Sequence, residues 1–134
     1  MNIVGTSLSG MAAAQARLNV SASNVANAAN TGAPTQDPGT SSAAPRPYRP
    51  LVLVQVSLVD GGVATEARAS AQGTISAYEP CAPGADANGQ IGAPDVDLAD
   101  EAVSQIQALQ QFKASVQIFK TEEEMQKTTL NLTT

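Results

Sequence analysis

The 134-residue chain has no histidine, no tryptophan and one cysteine, and its only aromatic side chains are Tyr48, Tyr78, Phe112 and Phe119. The missing histidine excludes His-based triads and most zinc sites. Cys81 stands alone, so neither an intramolecular disulfide nor a cysteine metal cluster can form. Nothing matches G-x-G-x-x-G, the phosphate-binding P-loop or G-x-S-x-G. No catalytic, cofactor-binding or metal-ligating residue is therefore assigned, and the chain is not read as an enzyme. Basic residues are scarce too: seven Lys and Arg against twelve Asp and Glu leave a net charge of −5. A nucleic-acid face needs clustered Lys and Arg, which excludes that partner. No stretch reaches the ~20 apolar residues of a membrane helix, so no direct membrane insertion is expected. The N-terminus lacks a basic segment, apolar run and cleavage site. Any route out of the cytoplasm is expected to need no cleavable signal peptide.

What is present is small. The apolar fraction is 43%, but much of it is alanine, which removes little surface from water. Burying a large side chain contributes about 1.5–3 kcal/mol, whereas ordering each residue costs roughly 1–2 kcal/mol of backbone entropy. Isolated folding is expected to be marginal, with assembly as the remedy.

Three parts follow along the chain: a helix over residues 1–30, a turn-rich segment with a hairpin over 31–96, and a helix over 97–134. In the first, Val4, Leu8, Met11, Gln15, Leu18, Ala22, Val25 and Ala29 alternate steps of four and three, the spacing of a coiled-coil seam. Ala12, Ala13, Ala14 and Ala16 favour helix, the Ser and Asn that follow weaken it, and Asn30-Thr31-Gly32 predicts the stop. Such a helix buries its seam either in a small bundle or only on assembly.

The middle opens on Pro34, Pro38, Pro45, Pro47 and Pro50 with interleaved Gly, Ser and Thr, a composition that predicts an extended, poorly ordered loop. A β-branched run over residues 51–59 ends in Asp60-Gly61-Gly62, and residues 63–68 supply the return strand of a hairpin. Asp86-Ala87-Asn88-Gly89-Gln90-Ile91 fits the middle of a calcium loop, but that register puts Gly84 at the first ligand and Asp95 at the bidentate position. A weak calcium-binding module is one alternative. An Asn-Gly turn between strands explains the same residues more simply.

The last part starts at Asp97 as N-cap, with Asp100 and Glu101 in the first turn, where the helix dipole favours negative charge. Leu98, Ala102, Gln105, Leu109, Phe112, Val116 and Phe119 form its seam, and neither Gly nor Pro occurs from Val96 onward. A helix to about residue 130 is roughly 50 Å long. That exceeds a compact domain of this size, so a partner must cover its apolar side. The candidate assembly interface is Val4, Leu8, Met11, Leu18 and Val25 with Leu98, Leu109, Phe112, Val116 and Phe119. The predicted fold is mainly α with a small β part: long N- and C-terminal helices forming a coiled-coil-like pair, joined by a turn-rich segment with a short β-hairpin. A soluble coiled-coil adaptor or regulator is the second alternative.

Several motifs recur together in one family. Ser9-Gly10-Met11 and Arg17-Leu18-Asn19-Val20-Ser21-Ala22-Ser23-Asn24-Val25-Ala26-Asn27 are followed by Pro47-Tyr48-Arg49, Gly61-Gly62-Val63, Tyr78-Glu79-Pro80, Ala85-Asp86-Ala87-Asn88-Gly89 and Pro94-Asp95-Val96-Asp97-Leu98. In this order they resemble the bacterial flagellar basal-body rod protein family, most closely its proximal rod branch of the FlgC type. The resemblance implies a structural subunit of the rod that assembles helically and transmits torque from rotor to hook. Its implied partners are copies of itself, other flagellar rod proteins and the flagellar type III export apparatus. Its implied place is the periplasm-spanning rod of the basal body, with no cofactor.

Overall fold

The computed structural model describes residues 3–34 and 45–132. Two helices, α1 (Ile3–Ala26) and α2 (Leu98–Leu132), flank four strands: β1 (Leu51–Ser57), β2 (Val63–Ala69), β3 (Thr74–Tyr78) and β4 (Gln90–Pro94). Most of the predicted Pro-rich loop, residues 35–44, lies outside the described residues.

Asp97 caps α2 as expected: its carboxylate accepts the N–H groups of Ala99 (2.8 Å) and Asp100 (3.4 Å), two of the donors a helix start leaves open. The helix then runs unbroken for 35 residues, or about 52 Å at ~1.5 Å per residue. α1 ends earlier than Asn30-Thr31-Gly32 suggested. After Ala26 the chain tightens into turns, with Ala28 N–H on Val25 O and Asn30 N–H on Asn27 O. The Ser23 carbonyl accepts both the Asn27 N–H (3.1 Å) and the Asn27 side-chain amide (2.8 Å), and the bonds after it are three-residue turns. Gly32 instead serves the sheet, where it exchanges both backbone bonds with Gly92.

The expected hairpin pairs β1 with β2 antiparallel, from Leu51 opposite Ala69 to Ser57 opposite Val63. Its connection is Leu58–Gly62, in which Gly61 and Gly62 take φ of 90° and 98°, the left-handed region where glycine is at no disadvantage. A second hairpin pairs β3 with β4, the two strands that the Asn-Gly turn implies. Its strands are five residues each, too short and too poor in β-branched residues to signal themselves. Asn88-Gly89 lies in the connection, as the turn reading expected, with Gly89 at φ 75°. The Asp86 carboxylate accepts the N–H groups of Asn88 and Gln90, both at 2.8 Å, so it closes this turn. Among the described residues no group of three or more Asp, Glu, Cys or His converges on a metal-sized space.

The helices run antiparallel. Ser21 of α1 donates to the Glu101 carbonyl of α2 (3.1 Å), while Gly10 faces Ser115. Residues 123–132 of α2 lie beyond this overlap and are exposed throughout. The buried apolar residues are few: Ala13, Ala14, Ile91 and Ala108.

Candidate assembly surface

α1 divides into longitudinal faces, and each does something different. Gly10, Ser21 and Asn24 face α2, where they meet Ser115 and Glu101; Ser7, Ala14 and Arg17 continue this stripe of α1, and Ser104, Ala108 and Gln111 that of α2, and every one of these is buried or half-buried. Small side chains let two backbones approach closely. A β-carbon on Gly10 would sit 2.8 Å from Ser115 Oγ.

One residue earlier on each turn lies the face that holds the first hairpin. Ser9 Oγ accepts the Val63 N–H (3.2 Å) and donates to Thr6 O (2.8 Å). Gly62 lies so close above that a β-carbon on it would be 2.6 Å from Ser9 Oγ. Ala16, Asn19 and Val20 look across a gap of about 290 Å³ at Leu51, Leu53, Thr65 and Ala67. At the far end of the helix, Asn24 is 3% exposed. Its amide donates to Leu51 O (2.9 Å) and Glu101 Oε1 (2.6 Å). Its carbonyl oxygen accepts from Leu51 N (2.8 Å) and the Tyr48 hydroxyl (3.0 Å). Two donors and two acceptor sites are all that a carboxamide has, so Asn24 is saturated. It joins α1, α2, β1 and the Pro47-Tyr48-Arg49 segment at one point. Ser23 completes the cluster through the Tyr48 hydroxyl (3.1 Å).

Ser9 and Asn24 are fifteen residues apart, about 22 Å along a helix. Leu51 and Ser57, the ends of β1, span about 20 Å. The hairpin thus lies along α1, tied at its base by Asn24 and near its tip by Ser9.

The third face carries the sequence-predicted seam. Leu8, Leu18 and Val25 are exposed on α1, as are Leu98, Leu109 and Phe112 on α2, while Val4, Met11, Val116 and Phe119 are half-buried. Leu8 is 52% and Leu109 52% exposed. The coiled-coil-like pair exists, but these residues are not what joins its two helices: the joining face lies one residue earlier in each. One residue is a rotation of about 100°. Because the helices are antiparallel, that rotation carries both stripes to the same side of the plane through the two axes. The hairpin occupies the opposite side. The result is one composite apolar surface built from both helices. An isolated exposed Leu needs no explanation, whereas a contiguous apolar stripe marks an interaction site.

Sequence reasoning missed the Asn24–Tyr48–Glu101 cluster and the small-residue seam. Their signal was present as Ser7, Gly10, Ala14, Ser21 and Asn24 at steps of three, four and seven. The groove beside the cluster, about 370 Å³, is lined by Arg17, Ser21, Asn24, Glu101 and Ser104 among others.

Known proteins resemble this chain in sequence. Residues 5–33 match the family described as "Flagella basal body rod protein", and residues 87–132 match "Flagellar basal body rod FlgEFG protein C-terminal". Over 138 residues the chain is 34% identical to the flagellar basal-body rod protein FlgC of Salmonella typhimurium, covering 98% of this chain and 96% of the relative. It is 33% identical to the protein of that name from Escherichia coli O6:H1 over 139 residues, and 32% to that of Yersinia enterocolitica over 138, with the same coverage.

Proposed function

Because this chain belongs to the flagellar basal-body rod protein family, we propose that it is a structural subunit of the proximal rod that packs through its composite apolar surface. The observation that carries this reading is the outward direction of its large apolar side chains. Copies of the chain and other rod proteins are the neighbours that cover Leu8, Leu18, Val25, Leu98, Leu109 and Phe112. Helical stacking of such subunits transmits torque from rotor to hook. The domain division follows the same logic, with residues 1–30 and 97–134 forming the tube wall and 31–96 lying on the side of the hairpins.

Passage through the flagellar type III export apparatus requires an unfolded substrate. The sparse core supports this reading, since the largest fully buried side chains among the described residues are Ile91 and Ser21. Few large apolar groups must be exposed to open such a fold, which lowers the cost of unfolding.

The test is Leu18→Asp and Phe112→Asp in the producing bacterium. Both residues are exposed, so the purified variants keep the native far-ultraviolet dichroism. Basal bodies isolated from either strain should lack a rod, and swimming should stop. Normal rods would overturn the assignment of this surface. A discrete, stable oligomer of the native chain in dilute solution would favour the adaptor reading instead.

A further inference from the structure

Among the described residues the outer edge of β1 is an unfilled strand position. Ser70 N–H donates to Pro50 O (2.7 Å) and Leu58 N–H to Gly62 O (3.1 Å). Even-numbered residues of β1 therefore direct their backbone groups at β2, and odd-numbered residues direct theirs the other way. Leu51 displays the consequence, because its N–H and C=O bond to the two ends of the Asn24 carboxamide. That carboxamide stands where a peptide group of a third strand would stand. Beyond it Leu53, Gln55 and Ser57 present the same pair of groups with no such cover among the described residues.

The edge also lacks the usual protection. Residues 51–59 contain no charge and no proline, whereas exposed edges are commonly blunted by Lys, Pro or a bulge. The edges of β4 and β2 differ. Gly32 bridges β4 at Gly92. β2 carries Glu66 and Arg68 and has its Val63 N–H on Ser9. Next to β1 the open groove runs between Leu51, Leu53 and the α2 residues Ser104 and Gln107.

We propose that this edge binds an extended segment of another polypeptide chain, added antiparallel to β1. The segment is uncharged and rich in β-branched residues, so that its outer side chains lie beside Val52, Val54 and Val56. Val52 is 46% and Val56 59% exposed, and cross-strand apolar pairs are the unit of sheet stabilisation. The occupant is a free strand. An intact second hairpin joined edge to edge would bring its own helix into the space that α2 holds beside this edge. Strand addition draws its affinity from main-chain bonds and its selectivity from alternate side chains.

The test uses the full chain, labelled with nitrogen-15, and a synthetic peptide repeating residues 51–59 between paired lysines added for solubility. Amide exchange at Leu53, Gln55 and Ser57 should slow at least tenfold with the peptide, while Val52, Val54 and Val56 are protected with or without it. The same peptide N-methylated at every residue copied from 51–59 should have no effect, because neither of its edges can then donate to the ladder. Gln55→Pro removes an outward N–H and leaves the bonds to β2 in place, so it should abolish the response to the unmodified peptide. The proposal falls if neither peptide acts, if both act equally, or if the three amides are already slow in the free chain. It also falls if Val52, Val54 and Val56 are unprotected there, since the proposal needs a preformed edge. None of these readouts depends on the rod assignment.

Discussion

Gly10 of α1 and Ser115 of α2 face each other across the helix pair, where a β-carbon on the glycine would meet the serine hydroxyl at 2.8 Å. In an exposed helix Gly10→Ala would be favourable by up to about 1 kcal/mol, because glycine carries the larger backbone entropy cost. Here the new methyl has to displace Ser115 Oγ. Gly10→Val pushes further into the seam and should destabilise the helix pair by about 1–3 kcal/mol, the usual effect of overpacking. Thermal unfolding followed by helix dichroism checks the loss. A double-mutant cycle with Ser115→Gly should recover much of it for Gly10→Ala, since contacting residues couple. Strict additivity would mean that the two residues do not touch.

Asn24 holds its four bonds as a carboxamide, and only glutamine, one methylene longer, offers the same set. Asn24→Ala leaves the Leu51 N–H and C=O, the Tyr48 hydroxyl and a Glu101 oxygen to find new partners. A loss of about 2–4 kcal/mol is expected from buried groups left unpaired. Asn24→Asp should be at least as damaging at neutral pH, because an acceptor then faces Leu51 O and the Glu101 carboxylate. Acidification protonates the introduced carboxyl and removes part of that repulsion. The variant should therefore narrow its gap to the native chain between pH 7 and pH 4, whereas Asn24→Ala should not. Parallel pH curves for the two variants would contradict this account.

The same two helices show what can be read from residues alone. α2, its Asp97 cap, the first hairpin and the apolar stripes are all legible, since each rests on a local rule of capping, turn chemistry or periodicity. Leu8, Leu18, Leu109 and Phe112 announce an apolar face, but not whether this chain covers that face by itself. Ser7, Gly10, Ala14 and Ser21 form the covered face, and they are hard to see because small residues carry little hydrophobic signal. The hydrogen bonds of Asn24 could not be anticipated, because Tyr48, Leu51 and Glu101 reach it only through the tertiary fold. The Asn88-Gly89 turn announces strands on either side but not the bounds of β3 and β4: Gly92, Ala93 and Pro94 make poor strand formers, and the bridge from Gly32 helps to hold them.

Two exposed ion pairs give a pH dependence of known sign. The Arg68 guanidinium bonds Glu66 at 2.6 Å, and Lys127 bonds Glu123 at 2.7 Å one helical turn away. In each pair the hydrogen bond, then the partner's charge, holds the glutamate below its ordinary pKa. A carboxylate whose folded pKa is lowered contributes stability above its unfolded value, and that contribution is lost as pH falls through the folded value. Both pairs are solvent-exposed, so the contribution is small and screened by salt. Carboxyl titration by NMR should place Glu66 and Glu123 below the usual glutamate range at low salt. Arg68→Gln and Lys127→Gln should each return their partner to that range, with little change in the melting temperature.

Ser9 and Gly62 offer a way to separate contact from backbone strain. Gly61 and Gly62 both have positive φ, at 90° and 98°, so alanine at either position adopts an unfavourable conformation costing about 1–2 kcal/mol. Only Gly62 also faces an obstacle, the Ser9 hydroxyl at 2.6 Å from the added carbon. Gly62→Ala should therefore lower stability more than Gly61→Ala, and the excess belongs to the Ser9 contact. Ser9→Ala keeps a β-carbon 3.3 Å from the same point and removes the acceptor for the Val63 N–H, so it relieves the clash incompletely. Ser9→Gly removes the whole side chain. In that background the costs of Gly62→Ala and Gly61→Ala should converge to within a few tenths of a kcal/mol, the spread expected of independent sites. Equal costs in the native background, or an unchanged difference in the Ser9→Gly background, would show that the hairpin tip does not rest on α1 through this residue.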